Sequence, residues 1–168
     1  STVPLWMSLA GISTLVMTPL ILYLATTDLL PVLIVLLAVP YVFGGLTLTA
    51  FFSTHAEHSR LLYAYDLIGA GLGAILVLPV LNLTGGINGL LVSAICLLLA
   101  GILYGAPRML WIGALVGAVM LVSNLSASWL TVDLVDLNTD KPIQSTLEAG
   151  GELVETRQDA FARTDLIF

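Results

Sequence analysis

Between Leu61 and Leu81 the chain reads LLYAYDLIGAGLGAILVLPVL, an apolar run long enough to cross a bilayer. It carries one carboxylate, Asp66, and a series of small residues, Gly69, Ala70, Gly71, Gly73 and Ala74. At the helical period, Tyr63, Asp66, Gly69, Ala70, Gly73 and Val77 share one face. Gly69 and Gly73 form a G-x-x-x-G pair, which lets a second helix approach closely where lipid supplies no hydrophobic drive. Asp66 lies on the same face and is expected to point into protein, because an ionisable group inside a span is costly and marks a candidate site. Tyr63 and Tyr65 stand beside it as candidate polar partners. The alternative is a carboxyl held protonated by a neighbouring hydroxyl, with no role beyond helix association.

The remainder of the chain suits the same solvent. Of its 168 residues 58% are hydrophobic and 10% charged, with a mean hydropathy of +1.05. Soluble domains carry about 25% charged residues. The expected fold is therefore an all-α polytopic transmembrane bundle of five spans with a short polar tail. The expected location is a bacterial inner (plasma) membrane, and the lipid bilayer and other membrane helices or subunits are the expected partners. Eight of the eleven acids lie after Ser128, so the net charge of −6 marks a polar tail and not an acidic protein. A basic nucleic-acid footprint is absent. The lone Cys96 allows no intrachain disulfide and sits in an apolar run, where core packing is the expected role.

Taken in order, the spans are expected at 4–25, 29–52, 61–81, 87–104 and 109–126. Pro19 should kink the first. Pro40 with Gly44-Gly45 should bend or locally break the second, where Thr47, Thr49 and Ser53 add a weak polar stripe. Thr84-Gly85-Gly86 is a turn. Gly113 and Gly117 in the fifth span form a second G-x-x-x-G, the natural counterpart of Gly69 and Gly73. The loop STHAEHSR at 53–60 places His55 and His58 three apart with Glu57 between them. Metal binding needs at least one further ligand, so a solvated interfacial loop is expected there. No catalytic, cofactor-binding or metal site is assigned. GAGLG lacks the spacing of a dinucleotide fingerprint. Asn82-Leu83-Thr84 and Asn124-Leu125-Ser126 match the glycosylation pattern by chance.

The composition changes near residue 127, giving a membrane domain at 1–126 and a polar tail, with linker, at 127–168. VDLVDLNTDKP could form a short strand ending at Pro142, and GELVETRQDAFARTDLIF reads as a β-hairpin at the edge of a soluble domain. Gly150-Gly151 is a turn. The first apolar run starts almost at Ser1 with no basic segment before it, and DLIF looks like a strand cut short. Both ends are expected to be borders of a fragment.

One resemblance adds to this reading. Leu62–Gly73, LYAYDLIGAGLG, resembles the membrane part of multi-pass spermidine synthase-like proteins. So do Pro40–Leu46, PYVFGGL, and Leu81–Leu91 with its Gly85-Gly86-Ile87-Asn88. Glu155-Thr156-Arg157 and Ala160–Asp165 resemble the start of the synthase domain. The resemblance implies a bundle that anchors a soluble aminopropyltransferase-type domain and passes an amine or related cation to it, with Asp66 as the negative site. The glycine-rich nucleoside loop and catalytic acids of that domain do not occur in this chain, so the chain alone is not expected to catalyse aminopropyl transfer. The other reading is a non-catalytic accessory subunit of a larger membrane complex, with the small-residue faces as docking surfaces.

Overall fold

The computed structural model describes residues 2–25, 30–130, 149–158 and 163–168. Its elements are α1 (Val3–Ala25), α2 (Leu30–Thr54), a short 3-10 turn (Ala56–His58), α3 (Ser59–Leu103), α4 (Leu110–Ala127), β1 (Leu153–Gln158) and β2 (Arg163–Ile167). The four α-helices are each long and apolar enough to cross a membrane. They expose aliphatic side chains over most of their outer surface, Val35, Leu115 and Val122 among them. Apolar surface of that extent calls for lipid or a partner, which is compatible with an integral membrane protein.

The packed core is built on the C-terminal part of α3. Along it Leu91, Ala94, Leu98 and Gly101 are buried, the i, i+3, i+7 stripe of a helix with one inward face. Leu98 is fully buried and wedges between two glycines. A Cβ on Gly11 of α1 would stand 2.8 Å from the Leu98 Cγ and 3.0 Å from its backbone nitrogen, and one on Gly113 of α4 would stand 3.4 Å from a Leu98 methyl. Gly101 faces Met7 and Ser8 of α1, while Gly117 faces Ile95 and Leu15. As numbers rise in α1 and α4 they fall in α3, so both helices run antiparallel to this part of α3. Cys96 is exposed, not in the core as expected; the inward stripe passes through 94 and 98 and leaves 96 on the far side.

α3 is one helix by hydrogen bonding and two by direction. Gly85 holds φ 78° and ψ 168°, outside the helical region. A straight helix of 45 residues would set its ends about 67 Å apart. Yet the Tyr104 hydroxyl lies 3.4 Å from Nε2 of His55, only four residues before Ser59, and four residues reach at most about 14 Å. The helix therefore doubles back at Gly85, with a first arm at 59–84 and a second at 86–103. The expected turn at 84–86 is found as this sharp bend. The helix passes Pro79 without ending.

The two arms meet different surroundings. The second is the core of the bundle, and the first is exposed along almost its whole length from Leu61 to Pro79. α2 packs along α1, joined by stacking of Trp6 on Phe43 with ring centroids 6.2 Å apart. Of the bend or local break expected near Pro40, the break is not there: α2 runs as one helix through Pro40, Gly44 and Gly45, and neither glycine has a positive φ. Thr47, Thr49 and Ser53 donate to carbonyls of their own preceding turn, so the polar stripe is satisfied within the helix.

In the tail β1 and β2 form an antiparallel hairpin with a bulge between Leu153 and Glu155, as the alternating pattern predicts. Gly150 turns the chain before it, with φ 95°. The strand expected to end at Pro142 lies outside the described residues.

Candidate functional site

The first arm of α3 brings the sequence candidates together on a face that, among the described residues, is exposed. Asp66, Tyr63 and Tyr65 are all exposed. Among the described residues Asp66 has no hydrogen-bonding or ion-pairing partner. A Cβ added at Gly69, Gly71 or Gly73 would meet no atom within 4 Å. The expected pairing of Gly69 and Gly73 with Gly113 and Gly117 is not made within this chain. The α4 glycines have taken the second arm of α3 as their neighbour, because the sharp turn at Gly85 holds the first arm away from α4.

Asp66 sits seven residues into the arm, about 10 Å along the axis from Ser59. That end carries the polar loop. His55 donates from Nδ1 to the Phe51 carbonyl at 3.3 Å and accepts at Nε2 from the Tyr104 hydroxyl at 3.4 Å. Phe51 and Tyr104 pack ring to ring, with centroids 5.2 Å apart. This cluster clamps the C-terminus of α2 to the end of α3. His58 is directed elsewhere, with Nδ1 3.6 Å from Glu57, and both are well exposed. Among the described residues no three of His, Cys, Asp and Glu stand close enough to share a metal ion.

The opposite end holds a polar chain that sequence reasoning missed. The Leu130 N–H donates to Oδ1 of Asn124 at 2.6 Å, Asn124 Nδ2 donates to Oδ1 of Asn88 at 2.8 Å, and Asn88 Nδ2 donates to the Thr84 carbonyl at 2.7 Å. Both asparagines are buried. The Thr84 hydroxyl donates to the Val80 carbonyl at 2.7 Å. A helix that ends or bends leaves carbonyls of its last turn without backbone donors, and in a bilayer each such group costs several kcal/mol. Asn88 and Thr84 cover two of them at the Gly85 bend. Asn124 then ties the bend to α4 and to Ser128–Leu130, where Ser128 ends α4 in the left-handed conformation. With its amide group buried and bonded at both ends, Asn124 is no glycosylation acceptor, which agrees with the chance reading of its motif.

Compared with protein-family models, curated proteins and solved structures, the chain finds no match. The geometry therefore carries the functional argument. It presents a span-length arm bearing one acid and exposed among the described residues, with an aromatic clamp near one end and an asparagine lock at the other. The signal for the lock was present in the sequence as two asparagines in apolar runs, but nothing in their spacing joins positions 88 and 124.

Proposed function

We propose that this chain is the membrane-embedded part of a spermidine synthase-like protein, crossing the bilayer five times, anchoring an aminopropyltransferase-type domain and offering a cation a negative site at Asp66. The observation that carries this reading is the first arm of α3. Between Leu61 and Leu81 its one charge is Asp66 and its other polar groups are the hydroxyls of Tyr63 and Tyr65, it is exposed from Tyr63 to Pro79 among the described residues, and it is long enough to span. A helix that is hydrophobic all round belongs in a core or a membrane. The doubling back of α3 supports counting it as two passes. The acid lies near the loop-side end of its arm, where an amine arriving from water could reach it, and Tyr63, one turn before it, supplies a ring face and a hydroxyl for a cation. The hairpin at 153–167 supports a soluble domain attached beyond the membrane part.

The test is polyamine binding to the full chain and to Asp66→Asn, measured by calorimetry in detergent. The substitution should weaken spermidine binding by about tenfold, the loss of one charge-assisted contact of roughly 1.4 kcal/mol. Equal binding by both proteins removes the cation site.

A second reading keeps the membrane setting and drops the synthase. The chain is then an accessory subunit, and the open face at Gly69 and Gly73 receives a helix of another protein. A reading frame that continues past Phe168 into a glycine-rich strand–loop–helix pattern favours the synthase, and its absence favours the subunit.

A further inference from the structure

A cavity of about 650 Å³ lies between α1, α2 and the second arm of α3, well apart from Asp66. Its walls come from the middle of all three helices, at 7–21, 37–48 and 90–97. In a membrane it therefore sits at hydrocarbon depth, and it is open on one side. None of its lining residues is charged. Four of its five hydroxyls ask little of an occupant: Thr14, Thr18, Thr47 and Ser93 each donate their proton to a carbonyl of their own helix, at 2.8 to 2.9 Å; the fifth, on Tyr41, belongs to a side chain that is 80% exposed.

Two glycines make the space. Gly44 and Gly45 line the cavity from α2, and a Cβ at either would meet nothing within 4 Å. Neither has a positive φ. Glycine inside a helix is less favourable than alanine by about 1 kcal/mol, and here neither backbone conformation nor close helix contact asks for it. What the pair provides is volume. Elsewhere in the bundle glycine serves the opposite end, as at Gly11, where it admits Leu98.

We propose that this cavity is a built site for one hydrocarbon chain, the acyl chain of a bilayer phospholipid. Size and polarity select the occupant. A helix is about 10 Å across and rises about 5.4 Å per turn, so the space would hold little more than one turn of another protein's helix. Water needs two to four polar partners; the four self-bonded hydroxyls keep only acceptor lone pairs in a wall that is mostly apolar, which favours hydrocarbon over water. An apolar cavity of about 150 Å³ holds a benzene ring, and about four times that volume accommodates one long acyl chain. The phospholipid headgroup would remain at the interface while one chain enters through the open side, continuous with the surrounding lipid.

The experiment uses the full chain reconstituted in phosphatidylethanolamine and phosphatidylglycerol vesicles, doped with a phosphatidylcholine bearing a diazirine near one chain terminus. After irradiation, peptide mapping should find label on Met17 and Leu97. Gly45→Phe, which fills the cavity, should cut label at those residues by about tenfold. Gly44→Val, a smaller filling substitution, should lower it in the same direction and carries the test if the phenylalanine variant does not fold. Gly71→Phe, on the exposed first arm of α3, should leave it unchanged. The proposal is overturned if label at Met17 and Leu97 is the same in the filled variants as in the parent. It is equally overturned if label falls only on the outer surface, at Leu115 and Val122, or if Gly71→Phe abolishes it as fully as Gly45→Phe.

Discussion

Glycines that look alike in sequence do different work here, and the difference can be measured. Gly11 and Gly117 stand where another side chain already is: an added Cβ would come within 2.8 Å of Leu98 at the first and 3.0 Å of Ile95 at the second. Gly73 has open space around it. Overfilling a packed site costs about 1–3 kcal/mol. Gly11→Leu and Gly117→Leu should therefore lower the thermal midpoint in detergent, and Gly73→Leu should leave it unchanged. A loss with Gly73→Leu as large as with Gly117→Leu would mean that the first arm of α3 is packed after all. The sequence made Gly113 and Gly117 legible as a close-approach face, because small residues at four-residue spacing have few other uses in lipid. It did not make their partner legible. The partner is not a matching glycine pair but the bulky rib of Leu98 and Ile95, and a leucine-rich run does not announce which of its leucines face inward. Asn88 and Asn124 were hidden for a related reason. Their partnership depends on where the Gly85 bend points the chain, which no local pattern records.

At the scale of elements, the helices α1, α2 and α4 stand within two residues of the expected spans, since a long apolar run bounded by polar or turn residues sets its own limits. The hairpin was legible from alternation. What local rules misjudged was the place of interruption. Pro40 with Gly44-Gly45 carries the stronger breaking signal, yet α2 is continuous there, because neighbouring groups in a bundle can absorb a missing N–H. The true discontinuity is at Gly85, whose φ of 78° and ψ of 168° are essentially confined to glycine. Gly85→Ala should cost about 1–3 kcal/mol, seen as a lower melting temperature. The bend itself can be checked by spin labels on Leu61→Cys and Leu103→Cys in a Cys96→Ser background. A straight helix separates these positions by about 63 Å; a doubled-back α3 brings them far closer. A distance near the straight-helix value would remove the two-arm description of α3 and the five passes with it.

For the whole molecule, the proposed membrane setting requires one end of the bundle to face the cytoplasm. The clamp of His55 on Tyr104 puts 53–60 and 104–108 at one end, with Arg60 and Arg108. The Asn88–Asn124–Leu130 chain puts the bend of α3 and the start of the tail at the other. Counting basic residues alone sends the two arginines to the cytoplasm and the tail outside. Lys141, in the tail, is the one cation opposing them near the membrane, so the margin is a single charge. The proposed function pulls the other way, because an aminopropyltransferase domain has to meet a nucleoside substrate made in the cytoplasm. A requirement of the chemistry outweighs a one-charge bias, and the tail is expected inside. Two cysteines decide it, each placed singly in the Cys96→Ser background: Glu57→Cys in the exposed loop and Glu152→Cys at the exposed start of the hairpin. In intact cells a membrane-impermeant thiol reagent should label the first and reach the second only after permeabilisation. The reversed pattern would place the tail outside and end the proposal that a working polyamine synthase is attached to it. Labelling of both from the same side would make the number of passes between them even, and α3 could not then cross the membrane twice with α4 crossing once.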